Sequence, residues 1–252
     1  MIVTIPGGVL NCLTAGPVGK GTATLLMIHG IQGTASVWVP VMQPLASERH
    51  VLAPHLRGRA GSFSPDDPAA YSMAAFAGDL HAVLCAVRGP VVLVGWSMGC
   101  LVALEYLRTY GTGGLIGLAL ISGSPYLMAT GGNDATWFSG DTYGAVMASA
   151  AARAERLQLS ETATDIAVAG SWMDARNADY RDDLGAIDLP VLVLHGAEDP
   201  ECPVSHARMM AEAIPEAQLE IWNGCGHVPM AYAPERLAAE LRRFAHSCES
   251  SV

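Results

Sequence analysis

Gly95-Trp96-Ser97-Met98-Gly99 stands between Pro90-Val91-Val92-Leu93-Val94, apolar and β-branched without alternation, and Cys100 to Arg108, rich in helix formers and free of Gly and Pro. The first run reads as a parallel strand covered on both faces and the second as a helix. A strand that becomes a helix within one residue strains that residue, and its neighbours must be small enough for the two backbones to approach. Gly95 and Gly99 meet that demand two positions either side of Ser97. The five-residue pattern is weak alone: a chain with 27 Gly has about 0.2 chance occurrences. Its strand and helix give it weight. They place the Ser97 hydroxyl above the sheet, at a helix N-terminus whose free N–H groups favour an anion. A plain helix cap is the bland alternative.

A chain of 252 residues, 51% hydrophobic, can bury one large core, and an α/β domain with an insertion suits that size. A formal net charge of −10 argues against nucleic acid or an anionic membrane as partner. A small neutral or apolar molecule remains. The first eight residues lack the basic start and unbroken apolar core of a signal peptide, so a cytoplasmic location is expected. Residues 90–104, the longest apolar stretch, are broken by the 95–99 turn and are not a membrane span. The six Cys show no paired metal or redox spacing, and no cofactor or metal is expected. Whether the chain is a monomer or a homo-oligomer is not readable at this level.

In order, residues 1–14 suggest a hairpin turning at Pro6-Gly7-Gly8, followed by a buried strand from Thr24 to His29 and a Gly-punctuated turn, His29-Gly30-Ile31-Gln32-Gly33. Further strands are expected at His50–Pro54, Leu115–Ile121, Pro190–Gly196 and Gln218–Trp222. Helices fall between them, one capped by Ser72 and the last opening at Pro234. This alternation predicts a mostly parallel sheet with helices on both faces, formed by residues 1–126 and 190–252. Residues 127–189 carry helical patterns but no strand, and are expected to form a helical lid over the strand ends; two ordinary packing helices are the alternative.

A serine hydroxyl needs a base to take its proton and a carboxylate to orient that base. His227, on the Gly-rich loop after the last strand, is the candidate base, while His29 and His195 end strands and read as packing and hydrogen-bonding residues. Asp199, three residues after Gly196, is preferred to Glu198 as the acid, because Ser122-Gly123-Ser124 offers no carboxylate after the preceding strand. Backbone N–H groups of Ile31 and Met98 are the expected oxyanion donors. Trp96, Met128, Trp137 and Phe138 are expected to line the substrate pocket, with Met147, Trp172 and Val228. Arg153, Arg156, Arg176 and Arg181 suit either a substrate carboxylate or exposed helix faces, the second being preferred. Cys202 and Cys225 fall on the loops of Asp199 and His227, near enough for a bridge, although a reducing compartment favours free thiols.

His29-Gly30-Ile31-Gln32-Gly33, Gly95-Trp96-Ser97-Met98-Gly99, Gly196-Ala197-Glu198-Asp199 and Gly226-His227, in the order serine, acid, histidine, resemble the α/β-hydrolase superfamily over nearly the whole chain. The sequence is similar to small bacterial lidded esterases, cofactor-free haloperoxidases or perhydrolases, and carbon–carbon bond hydrolases. The resemblance implies a serine hydrolase that cleaves a carboxylic ester with a hydrophobic acyl or alkyl group through an acyl-enzyme. Lactone, thioester and carbon–carbon cleavage use the same apparatus, and a ligand receptor with little turnover is a further alternative. One loop departs from the superfamily pattern, with His55 where Asp is common and Ala60 where Gly is common. Since that loop supports the oxyanion turn, its hydrogen bonding is expected to differ here.

Overall fold

A computed structural model describes residues 1–19, 21–127, 138, 140–159 and 161–251. The pocket candidates Met128 and Trp137 lie outside them. Eight strands form one sheet: β1 (Ile2–Ile5), β2 (Gly8–Ala15), β3 (Thr24–Ile28), β4 (Val51–Pro54), β5 (Val91–Trp96), β6 (Leu115–Ile121), β7 (Val191–Gly196) and β8 (Ala217–Trp222). Their order is β1-β2-β4-β3-β5-β6-β7-β8, antiparallel at β1–β2 and β2–β4 and parallel from β4 to β8.

Side-chain alternation along these strands divides the interior into two cores. Val91 and Leu93 of β5 point to one face, where helices α2 (Met73–Ala86), α3 (Met98–Tyr110) and α6 (Val204–Ala213) pack. Val92, Val94 and Trp96 point to the other, under α1 (Val39–Leu45) and α8 (Pro234–Glu249). Ser72 caps α2 by accepting the Ala75 N–H, and Pro234 opens α8, where its missing N–H costs nothing. A short helix α7 (Pro229–Tyr232), which no apolar periodicity announces, follows the His227 loop.

Between β6 and β7 lie α4 (Tyr143–Arg156), α5 (Asp165–Ala175) and a 3₁₀ segment, Arg181–Ala186. Val146 and Ala150 of α4 and Ala167, Val168 and Ala169 of α5 join the core that α2 and α3 share. The helical repeat seen in the sequence therefore has a buried stripe, but Tyr143 and Met147 face solvent. No helix among the described residues is long and apolar enough to cross a membrane.

The β5–α3 turn carries the strain expected of it, with Ser97 at φ 55°, ψ −121°. A Cβ on Gly99 would lie 2.4 Å from the Ile28 carbonyl oxygen, and one on Gly95 2.5 Å from the Gly99 oxygen. Gly99→Ala is thus expected to push α3 off β3 and destabilise the fold by about 1–3 kcal/mol, seen as a fall of several degrees in Tm. An unchanged Tm would mean that the close approach is not needed. Cys100 is accommodated in the crowded turn because Gly123 leaves room for its Sγ, which contacts the carbonyls of Gly95 and Ile121.

Candidate active site

Three loops at the carboxyl ends of β5, β7 and β8 bring Ser97, Asp199 and His227 together. The Ser97 hydroxyl lies 2.9 Å from His227 Nε2, and His227 Nδ1 lies 2.9 and 3.1 Å from the two Asp199 carboxylate oxygens. A carboxylate only accepts, so Nδ1 carries the proton and Nε2 is left to accept from Ser97. Asp199 Oδ1 also accepts the N–H groups of Glu201 (2.8 Å) and Cys202 (3.0 Å). Burial alone would raise the Asp199 carboxyl, but the His227 imidazole, His195 and the Cys202 N–H outweigh it and hold the group below the ordinary carboxylate range. Its neighbour Glu198 is exposed and accepts the Gly224 N–H.

The Ile31 and Met98 N–H groups have no acceptor among the described residues. Both residues line a small cavity with Ser97, Leu101, Leu127 and Ala175, closed on one side by Ser124 and Cys202. The peptide that presents the Ile31 N–H is held from behind: His29 Nδ1 donates to the Gly30 carbonyl at 2.8 Å, while His29 Nε2 accepts the Leu56 N–H at 3.1 Å. The loop that departs from the superfamily pattern is bonded in its own way. His55 Nδ1 accepts the Ala35 N–H, Ser62 donates to the His55 carbonyl, Arg57 forks onto Asp79, and Ala60 takes up φ 43°.

Several sequence expectations find a different place. Trp96 does not line the cavity beside Ser97; strand alternation turns it to the opposite core, where Nε1 donates to the His227 carbonyl at 2.8 Å. It thereby holds the base loop. Trp96→Phe is expected to lower kcat on the order of tenfold with KM nearly unchanged, because the imidazole loses registration with Ser97; a KM effect alone would refute that reading. Val228 lines a separate cleft with Gly33, Thr34 and Glu161, and Met147 is exposed. Phe138 is buried, with its ring 5.5 Å from that of half-buried Trp172. Cys202 and Cys225 are free thiols, the favoured reading, Cys202 facing the cavity and Cys225 lying in the opposite core.

The four arginines of the inserted segment all meet protein carboxylates: Arg153 and Arg156 share Glu201, Arg176 pairs with Asp141 and Arg181 with Asp179. Arg153 is not on an exposed face. It is 2% exposed and also donates to Gln32 Oε1, tying α4 to the loops of both Ile31 and Asp199. His195 hydrogen-bonds at the strand end as expected, its Nε2 lying 2.9 Å from the Cys202 carbonyl and 3.3 Å from Asp199 Oδ2. No group of three or more His, Cys, Asp or Glu among the described residues is arranged to hold a metal.

Burial holds His29, His50, His55, His195 and His206 below the ordinary histidine value of 6.5. A depressed folded pKa means that stability is fully present above about pH 6.5 and is lost as pH falls toward the folded values. Tm is therefore expected to decline from pH 7 to pH 5, and a flat profile would exclude this linkage.

Residues 25–240 match the alpha/beta hydrolase family. A putative non-heme chloroperoxidase of Synechocystis sp. is 29% identical over 81% of this chain and 84% of its own. A pimeloyl-[acyl-carrier protein] methyl ester esterase of Aromatoleum aromaticum is 27% identical over 85% and 94%. The crystal structure of an esterase from Rhodococcus sp. superposes with a TM-score of 0.77 over 98% of both chains at 28% identity.

Proposed function

The chain belongs to the alpha/beta hydrolase family, and from that premise we propose that it hydrolyses carboxylic esters through an acyl-enzyme on Ser97. The observation that carries this reading is the unbroken line from the Ser97 hydroxyl through His227 to Asp199, beside two N–H groups that have no acceptor among the described residues. In the first half, Ser97 Oγ bonds to the ester carbonyl carbon as its proton passes to His227 Nε2. The negative oxygen meets the Ile31 and Met98 N–H groups. Collapse expels the alcohol, which takes the proton from His227, and leaves the acyl group on Ser97. Water then repeats the sequence and releases the carboxylic acid.

Esters are preferred to lactones, thioesters or carbon–carbon bonds because relatives similar in sequence over most of their length are esterases. The Ile31, Met98, Leu101, Leu127 and Ala175 walls suit an apolar acyl group. Residues 127–189 act as the lid, and Arg153 is the contact through which its position reaches both catalytic loops. Six free thiols, five of them buried, suit a reducing compartment, and we place the protein in the cytoplasm. A fluorophosphonate probe tests the reading: it should add one label per chain, on Ser97, in folded protein only. No labelling of Ser97 would overturn it.

A further inference from the structure

Arg59 is a buried cation for which the described residues provide no carboxylate. It is 1% exposed, and its bonds go only to neutral acceptors: Nη1 donates to the Arg57 carbonyl at 2.6 Å, and Nη2 to the Ile31 carbonyl at 2.6 Å and the Ser171 hydroxyl at 3.3 Å. Its Nε has no acceptor among the described residues, and the guanidinium lies 5.2 Å from the centre of the Phe76 ring. Asp79 is engaged by Arg57 through two 2.7 Å bonds. Taking a cation out of water without an anion is costly, and burial draws this guanidinium down to about 9. A surface or packing role calls for no such arrangement.

What distinguishes its place is Ile31. The two peptide planes flanking that residue are pinned separately, the Gly30 carbonyl by His29 and the Ile31 carbonyl by Arg59. The Ile31 N–H belongs to the first of these planes and adjoins the second, and Ile31 lines the cavity with Ser97. Resting on the ester-hydrolase reading, we infer that Arg59 is a positioning residue for the oxyanion site: it fixes the Ile31 N–H, and its charge finds a counterion only when the tetrahedral intermediate forms. It is not one of the residues that line the cavity. An attraction absent from the ground state raises kcat and leaves KM alone. In a water-excluded interior such a field acts at full strength without reorganisation. Ser171, on α5, adds a bond from the inserted segment to the same guanidinium, so α5 helps to hold the charge in place.

The test compares Arg59→Met and Arg59→Lys with the unaltered protein, using p-nitrophenyl acetate and an aliphatic trifluoromethyl ketone, which forms an anionic tetrahedral adduct with Ser97. Arg59→Met is expected to lose about 10- to 100-fold in kcat with KM within twofold, and to bind the ketone more weakly by the same factor. Arg59→Lys, which keeps the charge, should recover to within about fivefold of the unaltered protein. A neutral competitive inhibitor should bind all three alike. The inference is overturned if Arg59→Met keeps its kcat, if both variants lose equally, or if the neutral inhibitor weakens in parallel with the ketone. Should Arg59→Met not fold, Arg59→Lys decides: a native Tm with more than tenfold loss of kcat overturns it, and retained kcat supports it. Ser97-dependent hydrolysis together with Arg59 variants of full activity would sink this inference and leave the ester-hydrolase reading intact.

Discussion

Ser97→Ala is expected to lower kcat for p-nitrophenyl butyrate about 10⁶-fold while leaving KM and the fold nearly as they were. The size of the effect follows from the step that the proposed mechanism assigns to Oγ: without it no acyl-enzyme would form, and His227 would have no proton to take. The remaining groups still polarise the carbonyl, so hydrolysis should stay measurably above that in water. The fold is expected to survive because the strained backbone at φ 55° is set by Gly95, Gly99 and the Ser97 N–H bond to the Ile121 carbonyl, none of which uses the hydroxyl. Steady-state rates with Tm as the control decide the matter. Equal rates for the two proteins would favour a receptor that keeps the fold and lacks turnover.

Asp199→Asn is expected to cost about 10⁴-fold in kcat, and the geometry says why an isosteric change should be so severe. Oδ1 faces the N–H groups of Glu201 and Cys202, so the carboxamide must put its oxygen there. Its NH₂ group then occupies the Oδ2 position, 2.9 Å from His227 Nδ1 and 3.3 Å from His195 Nε2. Two donors cannot face each other. His227 must therefore accept at Nδ1 and carry its proton on Nε2, where it can no longer take one from Ser97. His195 Nε2 meets the same conflict while already committed to the Cys202 carbonyl, so Tm should fall as well. Fluorophosphonate labelling of Ser97 should slow in parallel with kcat. Normal labelling with slow turnover would move the role of Asp199 to the deacylation half alone.

Much of the scaffold was legible because its signals are local. Buried strands such as β5 and β7 are unbroken apolar runs, Ser72 and Pro234 mark helix starts by capping chemistry, and the crowding around Ser97 demands glycine within two residues on either side. His227 and Asp199 were legible through chain order and the chemistry that a serine nucleophile requires. Other assignments failed or stayed open where a contact spans the chain. Trp96 read as pocket lining, yet its indole reaches a carbonyl 131 residues away, and nothing in its neighbourhood announces that partner. Arg153 read as part of an exposed helix face, because the Glu201 and Gln32 that bury it lie on other loops. Arg59 carried no signal at all, since a buried cation bonded to neutral acceptors among the described residues is visible only once its surroundings are known.

By itself the sequence determined the alternation of strands and helices, the sharp turn at Ser97 and the identity of the acid and base candidates. Each follows from side-chain periodicity, backbone freedom or proton chemistry over a few neighbouring residues. Tertiary structure alone decided which side of the sheet Trp96 supports, which groups hold Asp199 and Ile31, and which acceptors surround the buried Arg59. Those are outcomes of distant segments competing for the same hydrogen-bonding atoms, and such a competition has no local trace.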